Sequence, residues 1–248
     1  MRLTGKTAIV TGGASGFGAG IVRKFTSEGA RVMIADINKS AAQELSDQMG
    51  DHAMAQEVDV ADGPSVNAMA RAALDAWGHV DILVNNAGVT HLPTPLEEVS
   101  EQDFDRVLAV NAKSVYLTAR AFVPNMKTRK VGAILNIAST AGVSPRPRLN
   151  WYNASKGWMI TATKAMAVEL APSGVRVNAL NPVAGETPLL KSFMGEDTPE
   201  MRAKFLATIP LGRFSTPQDL GNAACFLCSD EASMITGVAM EVDGGRCI

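Results

Sequence analysis

The sequence predicts an α/β fold: a doubly wound, Rossmann-like parallel sheet in a single domain over residues 1–248, with a helical substrate lid. Short apolar runs typical of buried strands alternate with longer amphipathic runs typical of helices, and this alternation predicts a parallel sheet covered on both faces. A glycine-rich turn between the first strand and the first helix predicts a nucleotide-binding end. The length and the 46% apolar content allow one large core.

Each element is predicted from its own pattern. The predicted strands are 7–11, 31–36, 52–60, 80–85, 133–138, 175–180 and 238–242. The predicted helices are 18–28, 39–49, 64–77, 100–126, 152–170 and 216–228. Pro64 stands at a tolerated first-turn position, and Ser100 is a typical helix cap. The segment 186–214 has no strand pattern and carries several prolines, so we expect a functional lid there.

Composition excludes some classes of function. The net charge is −2 without a basic block, so nucleic acid is not an expected partner. Apolar runs stay well short of the roughly 18 residues of a membrane span, and no secretory signal is visible, so we expect a cytoplasmic protein that does not bind membranes. Cys225 and Cys228 form a CxxC motif within one predicted helix. No further ligands stand nearby, which favours core packing and no metal site.

The segment 11–18, TGGASGFG, has the context of a dinucleotide site, with a strand before it and a helix after it. Glycines allow a close approach to a pyrophosphate, and the helix N-terminus favours its charge. Asp36 ends the second strand, 18 residues after Gly18, where a carboxylate binds ribose hydroxyls and repels a 2′-phosphate. The sequence therefore predicts NAD rather than NADP, although nearby Lys39 leaves some NADP use open.

A YxxxK motif, Tyr152 to Lys156, places a phenol and an amine on one face of a helix. A free phenol titrates near pH 10, too high for ready proton exchange at neutral pH, and a nearby ammonium lowers that pKa. Ser139 ends the preceding strand, so its hydroxyl can share the substrate oxygen. Together with the glycine-rich turn, these residues indicate an oxidoreductase that moves a hydride between a nicotinamide and a carbonyl/alcohol pair.

The whole chain resembles the short-chain dehydrogenase/reductase family. The resemblance rests on TGGASGFG at 11–18, Asp59-Val60, NNAG at 85–88, Asn111, Ser139 and YNASK at 152–156, and on the spacing of 13 residues from Ser139 to Tyr152. One departure is visible, because the family's usual Pro-Gly after the sixth strand is replaced by Pro182-Val183. The contacts at the nicotinamide end are therefore less firmly implied than the catalytic residues.

The resemblance implies a role for each matched residue. Tyr152 would act as general acid and base, Lys156 would lower its pKa and hold the nicotinamide ribose, Ser139 would orient the substrate oxygen, and Asn111 would position a water in a proton relay. The implied cofactor-binding residues are Gly12, Ser15, Gly16, Phe17, Gly18, Asp36, Ile37, Asp59, Val60, Asn85, Ala87, Gly88, Tyr152, Lys156, Pro182 and Thr187. The family also implies a homotetramer that pairs helices 100–126 and 152–171; alternatively, segment 186–214 covers their second apolar faces.

The substrate is less well determined. Stretches 140–151 and 186–214 should line its pocket, and they offer Arg146, Leu189, Phe193 and Met194 among others. The named substrate candidates are His91, Arg148, Trp151 and Leu190. As a hypothesis, Arg148 binds an anionic substrate group; the competing interpretation is that Arg146 and Arg148 are solvated or lie at a subunit interface.

We favour a dehydrogenase of a secondary alcohol such as a polyol, sugar or hydroxy acid. The first alternative is a 3-oxoacyl-[acyl-carrier-protein] reductase, for which relatives use basic residues to dock the carrier. Lys130 would serve as one of these, but Ser173 stands at the second place and Asp36 opposes NADPH. The second alternative is a non-catalytic NAD-binding sensor or scaffold, which the presence of both Tyr152 and Lys156 disfavours. Physiological direction and stereochemistry are not readable from the sequence.

Overall fold

The computed structural model describes residues 1–195 and 197–248, and within them a parallel sheet of seven strands lies between two layers of helices. The strands are β1 Thr7–Thr11, β2 Arg31–Asp36, β3 Ala53–Glu57, β4 Ile82–Asn85, β5 Gly132–Ile137, β6 Val175–Pro182 and β7 Ala239–Val242. Their spatial order is β3-β2-β1-β4-β5-β6-β7. The order reverses between β1 and β4, and such a switch point is where a doubly wound sheet binds its ligand.

The helices follow the strands in alternation. They are α1 Gly16–Ser27, α2 Lys39–Met49, α3 Gly63–Trp77, α4 Glu101–Leu108, α5 Ser114–Arg129, α6 Asn150–Leu170, α7 Leu190–Met194, α8 Pro199–Leu206 and α9 Pro217–Cys228. Among the described residues, no helix combines the length and the apolar character that a bilayer crossing requires.

Both faces of the sheet are buried, as the continuous apolar runs of the strands predict. In β1, Ala8 and Val10 face the cluster formed with α1, α2 and α9, whereas Ile9 faces the cluster formed with α3, α5 and α6. Cys225 and Cys228 belong to the first cluster as buried free thiols. The predicted fold class is confirmed.

Several element boundaries differ by a few residues from the sequence prediction, and the clearest differences are in β3 and in the helix predicted over 100–126. β3 ends at Glu57 rather than at residue 60, because Asp59 begins a turn: its carboxylate accepts from the Ala61 amide at 2.9 Å. The helix predicted over 100–126 reaches Arg129 and contains a π-helical turn at residues 109–113. The segment 186–214 contains the two short helices α7 and α8, which pack on their own apolar cluster with Val183 and Phe214.

Candidate active site

A cavity of about 470 Å³ opens at the carboxyl ends of the strands on both sides of the switch point. Six strands contribute to it, through Gly12 after β1, Asp36 at the end of β2, Asp59 after β3, Asn86 after β4, Ser139 after β5 and Pro182 at the end of β6. The predicted glycine-rich turn and the predicted YxxxK motif line this same cavity. The fold therefore joins the two sequence signals at one site.

The glycine-rich loop forms one end of the cavity. Gly12 has φ +60°, which favours glycine. A Cβ on Gly18 would collide with the Gly12 carbonyl oxygen and lie 2.6 Å from Nδ2 of Asn86. Ser15 caps α1 without a side-chain capping bond, so its hydroxyl and the first-turn amides are available to an anionic ligand. The loop residues that line the cavity are Gly12, Ser15, Gly16, Phe17 and Gly18.

The carboxylate of Asp36 is held at the cavity wall by the backbone. It accepts from the Ala14 amide at 3.0 Å and from the Asn38 amide at 2.9 Å. The ammonium of Lys39 lies 3.8 Å from a carboxylate oxygen of Glu57, so this cation has its own partner. The fixed negative charge at Asp36 is suited to ribose hydroxyls and opposes a phosphate in the same place. Ile37, Asp59 and Val60 also line this part of the cavity.

Asn85 lies beneath the cavity and is absent from its lining. Its amide nitrogen donates to Oδ1 of Asn136 at 2.8 Å, and its Oδ1 accepts from the Thr118 hydroxyl at 2.8 Å. The Asn85 side chain thus ties β4 to β5, and its contact with a cofactor stays a prediction. Sequence reasoning did not single out Asn86, which donates to the Thr11 and Gly12 carbonyls and lines the cavity. Ala87 and Gly88 line it as expected.

The π-helical turn at 109–113 turns Asn111 toward the loop after β4. Its Oδ1 accepts from the Val89 amide at 2.9 Å, while Nδ2 donates to the Val89 carbonyl at 2.9 Å and to Oγ of Ser155 at 3.0 Å. The side chain is fully buried, and a Cβ on Gly88 would lie 3.5 Å from its Oδ1. Both amide hydrogens are committed to the protein, so Asn111 fixes the loop behind the cavity, and its water-relay role remains a prediction. π-Helical turns are common at functional sites.

Tyr152 and Lys156 lie on one face of α6, both buried and both lining the cavity. Nζ of Lys156 donates to the Ile137 carbonyl at 2.8 Å and lies 5.9 Å from the centre of the Tyr152 ring. Ser139 follows β5, and its hydroxyl accepts from the Ala141 amide at 3.1 Å. The phenol, the amine and the Ser139 hydroxyl thus share one wall of the cavity.

Burial dominates the proton affinities of this pair. It raises the pKa of Tyr152 to about 12, against lowering effects from the Ser139 hydroxyl and the charge of Arg146. Burial also lowers the pKa of Lys156 to about 8. The pKa of Tyr152 therefore lies above its ordinary value because burial outweighs both lowering effects, and the one cation that opposes the rise is Arg146. A lowering effect of Lys156 on this pKa stays a prediction.

At the other end of the cavity, none of the four named substrate candidates lines the wall. Arg148 has φ +66°. Its side chain is exposed to solvent and does not enter the cavity. Leu190 is 3% exposed and packs inward beneath the lid with Val183. Trp151 packs edge-on against Phe104 at 5.3 Å, outside the cavity.

His91 is 2% exposed and is likewise not a lining residue of the cavity, and its Nδ1 is bonded at 2.8 Å to the Leu92 carbonyl. None of the four candidates therefore lines the cavity, and a substrate contact by any of them stays a prediction. Neighbouring residues of a turn or a helix point in different directions, so the sequence alone does not separate these candidates from the residues beside them that line the cavity.

Neighbours of those candidates form the wall instead. Phe193 of α7 lies edge-on to Tyr152 with ring centres 5.1 Å apart, and Arg146 stacks over the ring of Phe205 of α8 at 4.3 Å. Leu149 and Leu189 complete this apolar end. Pro182 and Thr187 line the cavity between the two ends, as expected. The sequence offered Arg146 and Phe193 among several residues, and only their place in the fold separates them from their neighbours.

Comparison with known proteins is consistent with this site. A family model described as enoyl-(acyl carrier protein) reductase matches residues 12–246. The 4-formylbenzenesulfonate dehydrogenase TsaC1/TsaC2 of Comamonas testosteroni is 48% identical over 100% of both chains. The D-threitol dehydrogenase of Mycolicibacterium smegmatis is 40% identical over 100% of this chain and 95% of its own.

Among solved structures, the 3-ketoacyl-(acyl-carrier-protein) reductase from Brucella melitensis, complexed with NADH, is 50% identical. It superposes with a TM-score of 0.95 and covers 99% of this chain and 100% of its own. The chain therefore belongs to the short-chain dehydrogenase/reductase family, as the sequence motifs predicted. It is an oxidoreductase of that family, similar to dehydrogenases named for an aryl aldehyde and for a polyol and to a ketoacyl reductase.

Proposed function

We propose that this chain is an NAD-dependent dehydrogenase that transfers a hydride between nicotinamide and a secondary alcohol/ketone pair, with Tyr152 as the general acid and base. The observation that carries the proposal is that Tyr152, Lys156 and Ser139 line one cavity with the glycine-rich loop. A phenol buried beside a dinucleotide site can exchange a proton with a substrate oxygen while the adjacent carbon exchanges a hydride.

The cavity residues fit a nicotinamide dinucleotide. Gly18 has no room for a side chain, and the start of α1 has no side-chain capping bond, and both features are typical of a pyrophosphate site. The Asp36 carboxylate can bind the hydroxyls of the adenosine ribose. Thr187 and Pro182 border the part of the cavity next to Tyr152, where the nicotinamide would lie. When bound, the nicotinamide supplies the hydride acceptor or donor.

The protein's own residues supply orientation and proton transfer. Ser139 and Tyr152 hold the substrate oxygen between two hydroxyls, so the reacting carbon points along the cavity toward the loop end. In alcohol oxidation, Tyr152 accepts the hydroxyl proton, and in ketone reduction it returns one. Lys156, held by the Ile137 carbonyl, places a positive charge near the phenol, which becomes more effective as water leaves the cavity.

The preference for NAD rests on Asp36 and on the pairing of Lys39 with Glu57. A 2′-phosphate would lie beside the negative charge of the Asp36 carboxylate, which disfavours it, while the nearby Lys39 forms an exposed pair with Glu57. The NADH bound in the Brucella melitensis reductase, 50% identical over its whole length, supports the same preference.

For the substrate we propose a small secondary alcohol such as a polyol, sugar or hydroxy acid. The D-threitol dehydrogenase supports a polyol, and the 4-formylbenzenesulfonate dehydrogenase, at 48% identity, adds aryl compounds to the set to be tested. Leu149, Leu189 and Phe193 give the site an apolar end that accepts a carbon skeleton.

A 3-ketoacyl-[acyl-carrier-protein] reductase is the second candidate, favoured by the name of the Brucella melitensis structure. Lys130 and Ser173, considered above as carrier contacts, stand just before β5 and β6 and therefore at the edge of the sheet opposite the cavity. This placement supports a small-molecule substrate over a carrier docked beside the site.

The test is a screen of polyols, sugars, hydroxy acids, aryl alcohols and 4-formylbenzenesulfonate with NAD and with NADP, read as reduced cofactor. An acetoacetyl thioester with NADH and NADPH tests the second candidate. We expect NAD-dependent turnover of at least one small alcohol, and a loss of about 10³-fold in kcat for Tyr152→Phe with unchanged NAD affinity. Turnover of the thioester alone would favour the reductase. NAD binding without turnover of any compound would favour a sensor or scaffold.

We also propose that the enzyme is a cytoplasmic homotetramer built on α5 and α6. Large apolar side chains stay exposed on these helices: Tyr116 is 52% exposed, Trp158 44% and Val168 80%. The lid packs on its own cluster and leaves these side chains uncovered, which supports subunit pairing over the alternative that the lid covers them. Sedimentation velocity should give about four times the monomer mass of 26.1 kDa.

A further inference from the structure

Two arginines from distant parts of the chain meet at the lid end of the cavity. Arg146 follows β5 and lines the cavity, while Arg246, in the C-terminal segment after β7, is not itself a lining residue and lies beside that wall. Nη1 of Arg246 donates to Oγ of Ser144 at 3.4 Å, which holds it against the loop that carries Arg146. The positive charge of Arg246 is close enough to lower the pKa of Arg146.

Neither guanidinium is neutralised by the described part of the protein. Across residues 1–195 and 197–248, no carboxylate oxygen lies within 4.0 Å of a nitrogen of Arg146 or Arg246. The nearby carboxylate of Asp243 accepts instead from the backbone amides of Gly245 and Cys247. Nε of Arg246 is buried and has no hydrogen-bond partner in the structure. Two adjacent, partly buried like charges are costly unless an anion joins them.

The arrangement also fixes one guanidinium in place. Arg146 stacks over the ring of Phe205 in α8 at 4.3 Å, and its charge acts on Tyr152 across the cavity. A stacked guanidinium keeps its edge free, and that edge presents several N–H donors in a geometry that suits an oxyanion. Arg148, two residues further along the chain, is exposed and outside the cavity. Of these two arginines, only Arg146 therefore pairs with Arg246.

We propose that Arg146 and Arg246 together bind an anionic group of the substrate, a carboxylate or a sulfonate, at the lid end of the cavity. The identification of the bound molecule as substrate rests on the proposed function, whereas the anion site itself does not. The substrate is then a small molecule with an oxidisable carbon at Tyr152 and an oxyanion on the lid side. Because Arg146 stacks on Phe205 of the lid helix α8, the lid helps to position the guanidinium that binds the anionic group.

The test is direct binding by calorimetry, so it does not depend on turnover. Benzenesulfonate and benzoate are the probes, and benzenesulfonamide is the neutral control of matched shape. Titrations are run without and with saturating NAD, which excludes the probe from the phosphate loop. The variants are Arg146→Gln, Arg246→Gln and, as the matched control, Arg148→Gln, which removes one charge from the same loop outside the cavity.

We expect at least about tenfold weaker binding of the anions in Arg146→Gln and in Arg246→Gln, and wild-type affinity in Arg148→Gln. The sulfonamide should bind weakly to every form. Equal anion affinity in all variants, or no binding of either anion to the wild type, would overturn the proposal. If Arg146→Gln fails to fold after losing its stack on Phe205, Arg246→Gln decides the question. Failure of the proposed function is distinguishable, because it would leave anion binding intact without NADH formation.

Discussion

The two ends of the cavity are built in different ways. At the cofactor end, a few residues that are near one another in sequence set the geometry through their backbone, as in the loop from Gly12 to Gly18. At the substrate end, side chains from the loop after β5 and from the lid helix α7 meet, as Arg146 and Phe193 do. The difference teaches that a backbone-built site is readable as a local motif, whereas a site built from side chains depends on how distant segments pack.

The largest effect should come from adding one methyl group at the backbone-built end. Gly18→Ala places a Cβ against the Gly12 carbonyl and 2.6 Å from Nδ2 of Asn86, so the loop must move away from its pyrophosphate-binding shape. We expect NAD affinity to fall at least about 100-fold, measured by calorimetry. Gly63→Ala is the control, since its nearest neighbour would lie 3.6 Å away. If Gly18→Ala binds NAD as tightly as the wild type does, the backbone shape of the loop does not determine NAD affinity.

The next effect concerns a fixed side-chain charge at the cofactor end. Asp36→Ala removes the carboxylate that opposes a 2′-phosphate, so the ratio of kcat/KM for NADP over NAD should rise about 10- to 100-fold. The control is Lys39→Ala, which breaks an exposed pair with Glu57 and should leave the ratio nearly unchanged. A ratio that moves with Lys39 and not with Asp36 would reverse the assignment.

A smaller effect is expected at the substrate end, because several side chains contribute to substrate binding there. Phe193→Leu removes the aromatic edge that lies 5.1 Å from the Tyr152 ring, and KM for the best substrate should rise about three- to tenfold with NAD affinity unchanged. Phe226→Leu on α9, in the core away from the cavity, is the control. Weaker NAD binding in Phe193→Leu would mean that the two ends are not independent.

The last prediction concerns stability at Lys156, where the two ends meet. Burial lowers its pKa from 10.5 to about 8, so the native state binds fewer protons than the unfolded chain between these values. The free energy of unfolding should therefore rise by about 1 kcal/mol or more from pH 8 to pH 10, measured by urea denaturation.

Lys156→Met should lose this rise together with activity, whereas Lys164→Met, at an exposed position on the same helix, should keep both. The comparison also separates titration of Lys156 from that of the other lysines, which the wild type and Lys156→Met share. An equal rise in Lys156→Met and in the wild type would mean that Lys156 titrates normally.

Much of the fold and of the cofactor end was predictable because it depends on local pattern. The apolar runs gave the strands, and the turn at 11–18 gave the loop, since the order strand, glycines, helix leaves few ways to arrange the backbone. Errors of boundary arose where a side chain interrupts a pattern, as at Asp59. The sequence did not predict that the Asn85 amide bonds to Asn136, because only the packing of β4 against β5 brings the two side chains together.

The sequence by itself determined the family, the glycine-rich loop, the Tyr152–Lys156 spacing and the acidic end of β2, because each is a property of a short segment with one regular conformation. Tertiary structure decided which side chains form the substrate wall and the direction of the Tyr152 pKa. It also decided that Arg146 meets Arg246 across about one hundred residues of chain. These features depend on burial and on the direction of side chains in turns and helices, where one residue can line the cavity while its neighbour points elsewhere.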